Sequence, residues 1–222
     1  MKKSFLFSLI ALFVLLFLAI FAYASFYPSS QLFGKVVYRL DTDKKQVVLT
    51  FDDGPGEQTK QILNVLKEKN VSAIFFVVGQ RALEKPEVVK RIVDEGHIVG
   101  IHTMTHSYLF RNNYYELSES KVVVENITGE TITLFRPPYG FRIPKTIKTA
   151  EELNLTTITW SNFPRDYNHE GEEIISRVIN NLEPGNIIVL HDGPGGREET
   201  LKSLPTLIDL VRARGFEFVR LS

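Results

Sequence analysis

The chain has 222 residues, 44% of them apolar and 23% charged, enough to bury one substantial core but not two. Its 26 basic and 26 acidic side chains cancel, and without Lys2 and Lys3 the acids exceed the bases by two, so no basic face for nucleic acid is implied. The absence of cysteine excludes disulfide frameworks, thiolate metal sites and a cysteine nucleophile.

First in chain order come Lys2 and Lys3, an apolar run from Phe5 to Phe21 broken only by Ser8, and then Ala22-Tyr23-Ala24. A positive end, an apolar stretch and small residues read as an export signal. Continued to Phe26, the same run approaches the roughly 20 residues that span a bilayer. Residues 1–24 therefore fit a cleaved signal or a retained anchor, and either way the lysines stay cytoplasmic. The expected setting is extracytoplasmic, secreted or membrane-anchored, with the membrane as a partner if the segment is uncleaved. Residues 25–45 read as a short linker and lead-in, in which Pro28, Ser29 and Ser30 break regularity, and residues 46–222 as the domain proper.

From there short β-rich runs alternate with helical patterns, as in parallel strands joined by helical crossovers. Strands are expected at Val47 to Phe51, Ala73 to Val78, His97 to Ile101, Leu134 to Arg136, Thr156 to Trp160, Ile187 to Leu190 and Phe216 to Leu221. Most are near-continuous Val, Ile and Phe, as strands buried on both faces require. Three- and four-residue spacing predicts helices over Thr59 to Glu68, Pro86 to Glu95, Tyr115 to Asn126, Pro144 to Leu153, Glu172 to Asn181 and Glu199 to Arg214. Pro86 and Pro144 sit where a first helical turn accepts proline. The implied class is α/β, a distorted or incomplete (β/α) barrel of about seven parallel strands behind an N-terminal helix. In such a barrel, reactive groups gather where strands end and the following loops begin.

The polar residues can be tested against that rim. Asp52 and Asp53 follow the first strand; adjacent strand residues point to opposite faces, so both can reach one site only where Gly54-Pro55 turns the chain. His102 and His106 lie just beyond the third strand, and four residues apart on a helical turn both imidazoles could ligate one metal. Arg136 ends the fourth strand in Arg-Pro-Pro-Tyr-Gly, whose stiff turn leaves the amides of Tyr139 and Gly140 free to stabilise an oxyanion. His191 ends the sixth strand and could serve as a general acid, while Asp192 could organise the glycine-rich turn after it. Asp166, after Trp160, is a weaker candidate. Each of these alone is compatible with a capping, solvated or merely rigid residue. Their gathering at the ends of five different strands is not.

These stretches resemble the polysaccharide deacetylase family, carbohydrate esterase family 4, across Val47 to Leu221. Thr50-Phe51-Asp52-Asp53-Gly54-Pro55, His102-Thr103-Met104-Thr105-His106 and Arg136-Pro137-Pro138-Tyr139-Gly140 match its first three motifs, and Val189-Leu190-His191 resembles the fifth with Val189 in place of leucine. The fourth, Asp-x-x-Asp-Trp, is altered here to Phe163-Pro164-Arg165-Asp166-Tyr167. The resemblance implies Asp52 as general base, Asp53, His102 and His106 as ligands of one divalent metal, zinc first among them, and His191 as general acid. It also implies that Arg136 orients Asp52, Asp166 supports His191, the Tyr139 amide meets the oxyanion, and Val189 and Tyr167 wall an acetyl pocket. The implied activity is hydrolysis of N-acetyl groups on an extracellular polysaccharide such as peptidoglycan, chitin-like polymer, capsule or biofilm glycan. Other classes share parts of this pattern, among them hydrolysis of a small non-sugar amide on the same scaffold, which export disfavours. A non-haem iron oxygenase shares the two-histidine, one-carboxylate set but has no use for Asp52. A catalytically impaired glycan-binding protein is motivated by the altered fourth motif.

Overall fold

The computed structural model describes residues 2–108 and 113–221, with side chains from Phe5 onward. Helix α1 (Lys2–Phe26) comes first, and the lysine side chains on which the expected orientation rests lie outside the described ones. There follow β1 (Gln46–Asp52), α2 (Thr59–Glu68), β2 (Ile74–Val77), α3 (Gly79–Glu84), α4 (Pro86–Asp94), β3 (Ile98–Ile101), α5 (Asn113–Thr128) and β4 (Leu134–Phe135). The chain continues through α6 (Pro144–Glu152), β5 (Thr156–Thr157), α7 (Gly171–Asn180), β6 (Ile187–His191), α8 (Glu198–Ala213) and β7 (Glu217–Phe218). All the strands pair in parallel, in the order β5-β4-β3-β2-β1-β6, with β7 beside the start of β1. A single bridge, Asn162 to Ile188, brings the chain beyond β5 against β6 and closes the circuit.

Strand alternation explains both the core and the rim. In β1, Val47, Leu49 and Phe51 face the helices and join the main cluster with Ile62, Leu66 and Leu207. Val48 faces inward, where it packs with Ile74, Phe76, Ile158 and Ile187, and on the same face above it stand Thr50 and Asp52. In β6, Ile188 and Leu190 likewise face the helices, while Val189 and His191 alternate to the inside. The two-residue period therefore delivers Asp52, Val189 and His191 to one interior.

The seven expected strands are present, several of them shorter than read. The fifth ends at Thr157 instead of Trp160 because the chain next pairs with the lead-in, the Thr157 carbonyl and Thr159 amide both bonding to Val37, and then crosses towards β6. Helix α3, only six residues long, is too short for periodicity to reveal.

Residues 25–45 are folded against the domain. The Arg142 amide donates to the Ser25 carbonyl (3.0 Å), Thr159 Oγ1 donates to the Pro28 carbonyl (2.8 Å), and the Leu40 amide donates to the Gly185 carbonyl (2.8 Å). Contact is close enough to require glycine at two points. A Cβ on Gly34 would fall 2.5 Å from Ile147 Cγ2, and one on Gly185 would fall 2.5 Å from the Leu40 carbonyl oxygen, both at positive φ.

Candidate active site

Asp52, the last residue of β1, is almost wholly buried and points at Arg136. Arg136 Nη1 donates to Asp52 Oδ1 (2.6 Å) and to Thr50 Oγ1 (2.7 Å), and Nη2 donates to the Thr159 carbonyl (2.8 Å). The guanidinium, fully buried, lies 4.2 Å from the centre of the Phe76 ring. Burial pushes its pKa down and Asp52 opposes that. Removing either partner would strand a buried charge, at a cost of about 3–5 kcal/mol.

Asp53 turns the other way. The turn begins at this residue, with φ 73°, one position earlier than Gly54-Pro55 suggests. Its Oδ1 lies 2.9 Å from His106 Nε2 and 3.3 Å from His102 Nε2, and one ligand atom from each of the three lies within 4.8 Å of the others. Burial opposes the Asp53 charge, yet hydrogen bonds from His102 and His106, together with the positive charge of His102 and His191, hold its pKa well below the carboxylate range.

The two histidines do not sit on a helical turn. They flank a loop in which Thr103 (φ 65°) and His106 (φ 58°) are left-handed, and it is this backbone that turns both imidazoles to one point. The His106 amide donates to Thr103 Oγ1 (3.0 Å). Glu116, buried on α5, accepts from the Met104 amide (3.0 Å), the Thr105 amide (2.9 Å) and Thr105 Oγ1 (2.8 Å). Sequence reasoning passed over Glu116. No clear signal marked it, because the buried face of α5 mixes Asn113, Glu116 and Ser120 with Leu117 and Val124 and so carries little apolar period.

The donor set fits a divalent metal. His102 Nδ1 lies 2.7 Å from the Arg136 carbonyl, which keeps a proton on Nδ1 and leaves Nε2, the nitrogen facing Asp53, as the atom that would hold a metal. Two imidazoles and a carboxylate, with open positions beside them, are the usual surroundings of a catalytic zinc.

Across the interior, His191 Nδ1 lies 2.7 Å from Asp166 Oδ1, and Asp166 Oδ2 accepts from the His191 amide (2.9 Å) and Thr200 Oγ1 (2.7 Å). Burial works against the His191 charge, but the hydrogen bond and charge of Asp166, with Asp52 and Asp53 further off, push its pKa up. Asp166 holds this place although Phe163 replaces the first residue of the motif, and Arg165 takes a left-handed φ of 58° to present it.

Between the two sides lies a cavity of about 400 Å³. Val189 lines it, with Tyr139 and Tyr167 at the wall, joined by Trp160, Phe163 and Arg197, which sequence reasoning had not placed there. The Tyr167 ring stands edge-on to His191 at 5.1 Å. Tyr139 occupies a tight turn at φ 60°. That turn uses the Gly140 amide to reach the Pro137 carbonyl (3.0 Å), so of the two amides expected for an oxyanion the Tyr139 one remains the candidate. Asp192 does not organise the glycine turn. Its Oδ2 receives the Thr59 hydroxyl proton at 2.6 Å and its amide donates to the Asp52 carbonyl at 3.0 Å, which ties β6 to the loop after β1. Burial, with Asp53 and Asp52 near, raises its pKa to about 7 against the Thr59 hydrogen bond.

A family model described as polysaccharide deacetylase matches residues 39–158. A peptidoglycan-N-acetylglucosamine deacetylase of Bacillus cereus is 34% identical over 197 residues, 85% of this chain and 92% of its own length. Chitooligosaccharide deacetylases also match. A solved peptidoglycan N-acetylglucosamine deacetylase, Bc1960, superposes with a TM-score of 0.81 at 33% identity, over 84% of this chain and 90% of its own. BA3943 of Bacillus anthracis, a pseudoenzyme of carbohydrate esterase family 4, superposes at 0.78 with 28% identity, over 83% and 66%.

Proposed function

The chain belongs to the polysaccharide deacetylase family, and from that premise we propose that it removes acetyl groups from N-acetylglucosamine in peptidoglycan, outside the cytoplasmic membrane and with a bound divalent metal. The reaction is hydrolysis of the N-acetyl carbon–nitrogen bond of a glycan, releasing acetate. Peptidoglycan is the preferred polymer because the Bacillus cereus relative, whose name carries that substrate, covers 85% of this chain, against 78% and 82% for the chitooligosaccharide deacetylases. The apolar segment Phe5–Phe26 supports the extracytoplasmic setting.

One observation carries the reading: the adjacent carboxylates Asp52 and Asp53 are committed to different partners, Asp52 to Arg136 and Asp53 to the two histidines. Asp53, His102 and His106 would hold the metal, zinc by their chemistry, and it would supply Lewis acidity towards water and the acetyl carbonyl. Asp52, aimed by Arg136, takes the proton from the attacking water. The Tyr139 amide donates to the oxygen on which negative charge develops. His191, carrying the proton that Asp166 helps it hold, gives it to the departing amine. Val189, Trp160 and Tyr167 enclose the acetyl methyl in an apolar wall. Phe163 and Tyr167, which replace the first aspartate and the tryptophan of the family's fourth motif, both line this cavity, so the alteration bears on substrate fit.

A glycan-binding protein without activity is the second reading, given weight by the pseudoenzyme on the same scaffold. The Asp52–Arg136 and Asp166–His191 pairs speak against it. Acetate release by the purified chain on peptidoglycan, chitooligosaccharides and other N-acetylated glycans, after chelation and with zinc restored, decides between them. Zinc-dependent release from peptidoglycan is expected, and binding with no release from any substrate would establish the second reading.

A further inference from the structure

The exposed helix and the active site are joined more directly than either requires alone. Phe5–Phe26 is 22 residues long, and its most apolar stretch has a mean hydropathy of 3.0 and is wholly exposed. A helix apolar all round belongs in lipid. Its last turns, however, are packed on the domain. Ala24 and Ser25 are each 1% exposed, Phe21 lies 5.3 Å from Phe33, and Phe26 lies 5.0 Å from Phe141.

The place of docking is the loop between β4 and α6, on the rim that carries the site. Arg142, itself 1% exposed, clamps the two together. Its Nη2 donates to the carbonyls of Tyr27 (2.7 Å) and Ser30 (3.0 Å), and its Nη1 donates to that of Gly140 (2.9 Å), in the turn that presents Tyr139. Ring contacts carry the connection inward. From Phe26 they run through Phe141, Tyr108 and Tyr139 to His106 in four steps of 4.4 to 5.8 Å. A free linker of twenty residues would instead let the domain wander by about 25 Å. Here the end of the helix is itself part of the active-site rim.

We propose that α1 is a retained bilayer anchor docked on the β4–α6 loop, holding the mouth of the site at the membrane surface, so that the substrate is N-acetylated glycan still tethered there by lipid. The inference rests on the deacetylase reading for its substrate, but not for the docking. Cleavage after Ala24 would strip away the packed residues Phe21 and Ala24, which favours retention. The fixed exit also selects by height, because glycan strands deep in a wall lie beyond the reach of a mouth that cannot leave the surface.

Two measurements test it on the full chain reconstituted in phospholipid vesicles. The first uses the lack of cysteine. Ala24→Cys should react with a soluble maleimide at least about ten-fold more slowly than Tyr27→Cys, whose parent side chain is 53% exposed. The second inserts a helical spacer of about 18 residues between Tyr23 and Ala24, which lifts the domain by about 27 Å and leaves Ala24, Ser25 and Phe26 docked while moving Phe21 away. The spacer variant should hydrolyse a soluble N-acetylglucosamine oligomer as fast as the parent, but the same oligomer on a short lipid tether about ten-fold more slowly or worse. Equal labelling of the two cysteines would overturn the docking, and equal rates on the tethered oligomer would overturn the selection by height. If neither protein releases acetate from the soluble oligomer, the deacetylase reading fails and takes the proposed substrate with it, while the maleimide rates still decide the docking.

Discussion

Asp53, His102 and His106 converge because the backbone bends at left-handed residues, Asp53, Thr103 and His106, and because Glu116 gathers the loop amides from below. His191 stands where it does because one carboxylate, Asp166, takes both its ring proton and its amide. The metal side is thus fixed mainly by main-chain conformation at three left-handed residues, and the acid side mainly by one side chain, itself presented by left-handed Arg165. Strained backbone of this kind costs about 1–3 kcal/mol per residue and persists where the surrounding structure over-determines it. The acid side carries less redundancy, which makes it the easier side to disable with one change and the easier to retune.

The changes that sharpen this comparison can be ranked. Asp52→Asn, which belongs to neither side and removes the proton acceptor between them, should lower turnover by roughly 100- to 10,000-fold. Next, Asp166→Asn should lower it by about 100-fold and also change the pH profile. Burial lowers the His191 pKa, but Asp166, together with Asp52 and Asp53, raises it on balance, so the parent keeps its acid protonated, and active, to higher pH. With Asp166 neutral, burial weighs more heavily and the alkaline limb of kcat should move to lower pH. An unmoved limb would deny His191 the acid role. The smallest effect is expected from Glu116→Gln, which weakens the cradle under the histidine loop. Metal affinity should fall by about ten-fold, with kcat at saturating zinc nearly unchanged. A large loss of kcat at saturating zinc would place Glu116 in the chemistry and break the contrast between the two sides.

The barrel was legible in the sequence because buried parallel strands are nearly pure Val, Ile and Phe and the intervening helices keep their period; α2 begins and ends where its spacing predicts. The residues gathered at the rim were legible for a related reason, since strand ends mark it. What stayed hidden depends on backbone angles or on distance along the chain. Nothing in His-Thr-Met-Thr-His distinguishes a helical turn from a loop with two left-handed residues, and the spacing of four suits both. Trp160 and Arg197 join the cavity because loops after different strands meet, which no local pattern encodes. The packing of residues 25–45 was masked by Pro28 and two serines that look like linker, although their carbonyls and those of their neighbours serve Arg142 and Thr159.

The central claim is that two adjacent carboxylates divide the work, Asp52 moving a proton and Asp53 holding the metal. It is tested most directly by metal content and acetate release for Asp52→Asn and Asp53→Asn across a zinc titration, beside the parent chain. Asp52→Asn should keep its metal and stay inactive at every zinc concentration, whereas Asp53→Asn should lose metal and recover part of its activity as zinc rises. Loss of metal from Asp52→Asn with retention by Asp53→Asn would reverse the two roles, and undiminished acetate release by both variants would contradict the account altogether.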